Sequence, residues 1–277
     1  PMGFYPVSTI CVEAKRHGVN VLGPSVNCSG AEVLVQGMAI RIPFKMIKGM
    51  TRSTMESMVC EREERAVFSC FADFVKRVKI NKDILRNLIL CGAFDEFEVS
   101  RRMLLWQSND LKPFNHDEKQ SSLLEPIYDK CSSFLESEFS IEEKVFYEYE
   151  VLGFGVSAHP MEICRDRLKD KGFVSSDELC RYSVGSFVKV GGIPVRPHRP
   201  PTKSGKTVVF LSLEDEHGLI DVTCFENVYK KHAKLLFPGE TLPLGIWGQV
   251  QKRGNAVSVI ARTVFPLSYV LTTGSKK

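Results

Sequence analysis

Residues 207–225 read TVVFLSLEDEHGLIDVTCF. They divide into two strands, 207–214 and 219–225, about the turn Asp215-Glu216-His217-Gly218. Working outward, residues 187–195 alternate toward a further strand. Residues 241–250 and 256–264 supply two more, joined by Gln251-Lys252-Arg253-Gly254-Asn255 and preceded by a short helix. Five strands with a helix between the third and fourth is the order of an OB-fold. Such barrels bind oligonucleotides on the face of strands two and three and with the loops joining strands 1–2 and 4–5. Both loops are basic here. The first, RPHRPPTKSGK over residues 196–206, sets Arg196, Arg199, Lys203 and Lys206 among prolines, and the second carries Lys252 and Arg253. The prolines limit the loop's freedom, so less ordering entropy opposes contact than in an ordinary solvated basic loop. Phe210 and Phe225, on strands two and three, are the candidates for stacking bases, at ~1–3 kcal/mol each. The competing reading is that about half the positions of a small barrel fill its core and phenylalanine often does so. Phe187, Trp247 and Phe265 are expected in the core or at the barrel ends.

A length of 277 residues implies two to three domains. The hydrophobic content of 43% and charged content of 25% are ordinary for a globular protein. No apolar run approaches the ~20 residues that span a bilayer, so no membrane partner is expected. No signal peptide is visible, and the absence of Met at position 1 suggests a piece of a longer chain. The nine cysteines include no C-x-x-C pair and sit mostly in apolar helical patterns, which points to a reducing cytoplasmic setting without disulfides. The histidines make no ligand pattern with them, so neither metal nor cofactor is expected. The net charge of +4 is unevenly spread. Residues 1–110 carry 15 Lys/Arg against 12 Asp/Glu (+3), residues 111–182 carry 9 against 15 (−6), and residues 183–277 carry 13 against 6 (+7). Two basic blocks suited to phosphate backbones thus flank an acidic connector that such backbones repel.

Upstream of the barrel the pattern is helical. Residues 7–17 form a first helix ending at Gly18, 19–22 are extended, and 32–42 read as a hairpin about Gln36-Gly37. From 43 to about 109 come short helices with recognisable caps at Thr51 or Ser53, Ser69, Asn81 and Ser100. Two joints are alike: Ile47-Lys48-Gly49-Met50, and Cys91-Gly92-Ala93-Phe94. A glycine between apolar residues, between helices, is the helix-hairpin-helix pattern, here in tandem. Gly49 and Gly92 permit the turn, and amides there and at the next helix N-terminus can face a phosphate. Lys48, Arg52, Arg101 and Arg102 could add charge. Arg101 and Arg102 in a first helical turn oppose the macrodipole, which an intervening anion would relieve. Taken singly, each glycine could also be an ordinary helix C-cap. Residues 109–140 are polar and acidic, a flexible linker. Within it, Gln120-Ser121-Ser122-Leu123-Leu124 could be a docking peptide, with Leu123 and Leu124 in a pocket and Gln120 setting orientation, or simply a helical turn packing on its own domain. Residues 140–182 regain helical character.

Several blocks together resemble one family: PMGFYP, EAKRHGVNVL with VNCSG, IKGM, ILCGAFD followed by SRRMLLWQ, EYEVLGFGVSAHPMEICRDRL and FLSLEDEHGLIDVTCF. Their order, over roughly residues 1–268, resembles the C-terminal part of the alpha subunit of bacterial DNA polymerase III, the C-family polymerase, whose error-prone relatives share the architecture. The resemblance implies an α+β chain with 1–42 as the end of a fingers-like segment and 43–108 as a tandem helix-hairpin-helix that grips double-stranded DNA. Residues 109–140 would be a linker holding a peptide for the beta sliding clamp (Gln120, Leu123 and Leu124), 141–184 a helical connector, 185–268 an OB-fold near single-stranded template, and 269–277 a tail. Leu124 stands where the family often has Phe, which implies a weaker clamp contact. Thr51 stands where a second glycine is common, which implies a less regular first hairpin. No Asp-x-Asp pattern of a nucleotidyl-transfer centre is present. The implied role is therefore non-catalytic DNA binding within a DNA-directed polymerase. Its partners would be double- and single-stranded DNA, the clamp and the rest of the polymerase chain, in the cytoplasm with the nucleoid. Two other classes stay open: a clamp-tethering module in which DNA contact is incidental, and the anticodon-binding part of a tRNA synthetase, whose other motifs this chain lacks.

Overall fold

The computed structural model describes residues 7–110, 137–201, 205–237, 242–254 and 256–268. They group into two compact units, one of residues 18–158 and one of residues 1–17 with 159–277. The expected connector 141–184 divides between them, and so does the expected segment 1–42.

In the unit of residues 18–158, a three-stranded sheet forms first. Strand β1 (Asn20–Leu22) pairs parallel to β3 (Ala39–Arg41), which pairs antiparallel to β2 (Leu34–Gln36). A single 3-10 turn, Phe44–Met46, leads into helix α2 (Arg52–Arg65), whose Thr51 side chain accepts from the Thr54 amide. Helices α3 (Phe71–Arg77), α4 (Lys82–Leu90), α5 (Arg101–Asp110) and α6 (Ile141–Leu152) follow. Cys70, one residue beyond the expected Ser69, caps α3. Asn81 caps α4, the Ser100 hydroxyl accepts from the Met103 amide, and Ser140 with Glu143 makes a capping box on α6. The core is aromatic: Phe68, Phe74, Phe94 and Phe71 meet edge to face at centroid distances of 5.0–5.1 Å, each such pair adding about 0.5–1.5 kcal/mol beyond its burial.

In the other unit, helix α1 (Val7–Arg16) falls with helix α7 (Pro160–Asp170), the short strand β4 (Phe173–Val174) and a barrel. The barrel strands are β5 (Phe187–His198), β6 (Val208–Glu214), β7 (Leu219–Phe225), β8 (Leu244–Arg253) and β9 (Ala256–Pro266), with α8 (Glu226–Leu236) between β7 and β8. The sheet runs β4-β5-β6-β7-β9-β8, and its last five strands close through β5–β8, so the five-stranded OB-fold barrel expected from the pattern is present. Alternation explains its interior. Val209, Leu211 and Leu213 of β6 and Ile220, Val222 and Cys224 of β7 point inward with Val188, Val190, Ile246, Val250 and Val259. Glycines admit close approaches: at Gly248 an added Cβ would lie 2.4 Å from the Ile260 carbonyl oxygen.

The turn between β6 and β7 is fixed by Asp215, fully buried, whose carboxylate accepts from the amides of Ser176, His217 and Gly218 and from the Ser176 hydroxyl. Arg165 of α7 bonds both Asp215 and Glu216. The acidic run 214–216 is thus turn structure.

Candidate nucleic-acid interface

The two hairpins are not equivalent. At the first, Gly49 adopts a φ of +77° and an added Cβ would meet nothing within 4 Å. Lys48, Gly49, Thr51, Arg52 and Ser53 are all exposed. The Lys48 amide donates to the Val151 carbonyl and its own carbonyl accepts from Asn87, which ties down the loop's base. Beyond it the first-turn amides of α2 have no intrahelical acceptor. Arg52 stands in solvent, bonded to Glu56 one turn along, and this contact raises its pKa. The helix expected before this hairpin is only the 3-10 turn.

The second hairpin is occupied by the protein itself. Gly92 turns at a φ of +80°. The amides of Cys91, Gly92, Ala93 and Asp95 already donate to Asn87, Ile89, Leu88 and Gly92. Arg101 is 3% exposed. Its guanidinium donates to both Asp95 oxygens at 2.9 and 2.7 Å, to the Leu90 carbonyl at 3.0 Å and to Glu148 at 3.3 Å. Burial opposes its charge, but the carboxylates outweigh burial and its pKa lies above the ordinary value. The Arg101 amide donates to Glu138. Arg102 donates to Glu143 at 2.6 Å and lies over the Phe139 ring. The expectation that Gly92, Arg101 and Arg102 face a phosphate is therefore corrected. The anion the first turn of α5 calls for is there, but it is a set of internal carboxylates, one of them 47 residues away. Glu148, 1% exposed, in turn accepts from the amides of Val156 and Ser157. Burial also pushes the Cys91 thiol up to about 12.

On the barrel, Phe210 is 38% and Phe225 46% exposed, both on the outer side of β6 and β7. The reading that they fill the core is excluded, because the inner positions are already taken by aliphatics. His198 of β5, paired in register with Phe210, stacks on its ring at 5.7 Å. Arg199 follows, donating to the Tyr229 hydroxyl of α8 at 3.0 Å with its guanidinium 5.7 Å from that ring's centroid. Arg196 adopts a φ of +50° and is exposed, as are Lys206 and Lys252. An aromatic strip on β5–β7 thus adjoins the basic arm. Arg253 lies on β8 and Lys203, like Gln120, Leu123 and Leu124, lies outside the described residues.

Phe187 and Trp247 correct the sequence expectation. They are 52% and 41% exposed and stack on one another outside the barrel, with centroids 5.0 Å apart and planes at 20°. The signal was in the alternation: with Val188, Val190 and Ile246 inward, Phe187 and Trp247 must face out. Phe265, half-buried, packs on Phe173 as expected of a barrel end.

Eight cysteines among the described residues are unbridged. Among the same residues no helix is long and apolar enough to cross a membrane.

Family models match both units. A helix-hairpin-helix motif matches residues 18–104, and an OB-fold nucleic acid binding domain matches residues 188–267. An error-prone DNA polymerase of Symbiobacterium thermophilum is 35% identical over 94% of this chain and 28% of its own length. One from Bdellovibrio bacteriovorus is 30% identical over 96% and 26%, and one from Mycolicibacterium paratuberculosis 30% over 100% and 24%. The chain spans about a quarter of the length of these curated relatives. A helix-hairpin-helix motif and an OB-fold nucleic acid binding domain lie together in a stretch similar to these polymerases. The chain is thus similar, over nearly its whole length, to one stretch of the error-prone DNA polymerases, and its helix-hairpin-helix and OB-fold domains fit a C-terminal region of a polymerase alpha subunit.

Proposed function

We propose that this chain is the part of a C-family polymerase that holds DNA without joining nucleotides. Double-stranded DNA is gripped through the first hairpin, where Lys48 and Arg52 present cations and the Gly49 turn brings the first-turn amides of α2 to a phosphate. Single-stranded template is bound by the barrel, its bases on Phe210 and Phe225 and its phosphates on Arg196, Arg199, Lys203, Lys206, Lys252 and Arg253. The linker peptide Gln120-Leu124 tethers the sliding clamp. The observation that carries the reading is the exposed aromatic strip His198-Phe210 beside the basic arm, on the surface where barrels of this kind take oligonucleotides.

The test is a salt titration of single-strand affinity. Each phosphate contact contributes about 0.7 to the slope of log K against log salt. Arg196→Glu with Lys206→Glu should flatten the slope by about 1.4 and weaken binding. An unchanged slope with unchanged affinity removes the arm from the interface. Phe210→Ala should weaken binding at every salt concentration without altering the slope.

A further inference from the structure

We infer that strands β5, β8 and β9 carry a second platform for unpaired nucleobases, centred on the Phe187–Trp247 stack and separate from the β6–β7 face. The inference rests on the reading of the barrel as a single-strand binder. Four observations support it. The rings are nearly parallel, with planes at 20°, a geometry that a planar base can extend; the edge-to-face contacts of the aromatic core cannot be extended in that way. Both rings stay substantially exposed, although stacking on each other and on the strand leaves outer faces that water hydrates poorly. Their neighbours are cationic or hydrogen-bonding: Lys189 sits directly across from Trp247 on β5, Thr263 directly across on β9, and Gln249 across from Phe187. Arg262 reaches along this face to Gln249 at 3.2 Å. Finally, the three strands contain Lys189, Arg196, Lys252, Arg253 and Arg262 and no Asp or Glu. The β6–β7 face, by contrast, includes the exposed Asp221.

An exposed aromatic stack on a surface with cations and no strand carboxylates matches a ligand that is at once planar, apolar on its faces and anionic along its backbone. That is single-stranded nucleic acid. Bases would stack on the outer faces of Phe187 and Trp247 while Lys189 and Arg262 meet the flanking phosphates. Both rings project from strands of a closed barrel, so little ordering accompanies binding.

The experiment uses the full chain with Trp106→Phe, which leaves Trp247 as the sole tryptophan. It is titrated with a fluorescently labelled dT20 and with an abasic oligonucleotide of the same length. Anisotropy reports total binding and Trp247 emission reports the platform. The expected result is quenching by dT20 and not by the abasic strand, with Phe187→Ala and Trp247→Ala each lowering dT20 affinity about 5- to 150-fold. The affinity measurement is repeated with Trp106 intact, so that it stands whatever Trp106→Phe does. Equal quenching by the abasic strand shows charge rather than stacking and overturns the inference. Unmoved Trp247 emission with intact dT20 binding, lost only on Phe210→Ala, also overturns it and leaves the single-strand reading standing. No dT20 binding at all removes the reading and the inference together.

Discussion

Gly49 and Gly92 have almost the same φ, +77° and +80°, but different surroundings. Replacing either with alanine places a Cβ in the left-handed region, at about 1–2 kcal/mol. At Gly49 that is the whole cost, since nothing lies within 4 Å. At Gly92 the added Cβ would lie 2.3 Å from Arg101 Nη2 and 2.7 Å from Asp95 Oδ2. Arg101 can retreat only by giving up its bonds to Leu90, Asp95 and Glu148. Forcing it out leaves the buried Glu148 carboxylate without its cation, held only by the Val156 and Ser157 donors, and breaking a buried pair costs about 3–5 kcal/mol. Gly92→Ala should therefore destabilise by about 4 kcal/mol or more. With Trp247→Phe as background, Trp106 of α5 reports urea unfolding of the helical unit. At an m-value of about 2 kcal/mol/M, Gly92→Ala should lower the midpoint by about 2 M and Gly49→Ala by about 0.5–1 M. Equal shifts would refute the claim that the second hairpin is built around Arg101. The DNA readout should be reversed: Gly49→Ala should disturb duplex affinity more per unit of lost stability than Gly92→Ala does.

The same network predicts strong coupling. Arg101→Met and Glu148→Met should each cost about 3–5 kcal/mol and the double variant less than their sum by about 2 kcal/mol, and additive losses in a double-mutant cycle would count against the buried pair. In the barrel unit, burial alone would raise the Glu216 carboxyl, but its Arg165 partner wins and the pKa lies below the ordinary value. A depressed pKa contributes stability that is present above the unfolded value and lost as pH falls through the folded one. With Trp106→Phe as background, so that Trp247 alone reports, the urea midpoint with Glu216 intact should therefore fall faster than that of Glu216→Gln as pH drops below about 4, and parallel curves would exclude the pair's contribution. Burial pushes the Cys91 and Cys224 thiols up to about 12, so both should resist a disulfide reagent until urea unfolds the protein, while the exposed Cys180 reacts in the native state.

The barrel was legible because its physics is local. A closed five-stranded sheet has one inside, so period-two burial shows in each strand separately, and 187–195, 207–214, 219–225 and 256–264 were found to within a few residues. Caps were legible for the same reason: Thr51, Asn81 and Ser100 act within their own first turn. Strand ends were harder. Strand β8 begins at Leu244 rather than 241 and carries a register shift at Trp247/Gly248, and a bulge of that kind has no signature in alternation alone.

Arg101 shows where local reasoning stops. Two arginines opening a helix, next to a glycine hairpin, correctly imply an anion at that spot. Whether the anion is a nucleic-acid phosphate or a carboxylate from the same chain depends on how α6 packs on α5, and that packing brings Glu148 to Arg101 across 47 residues. No spacing rule encodes that contact. Phe187 and Trp247 failed in the opposite direction. Their alternation with Val188, Val190 and Ile246 sets them outside, whereas residue type alone points large aromatics to the core or the barrel ends. In a barrel whose interior is narrow enough to be filled by valine, leucine and isoleucine, large rings are the side chains least able to fit inside. An aromatic in an outward register position of so small a barrel, on strands without carboxylates, is therefore better read as a contact surface than as misplaced core.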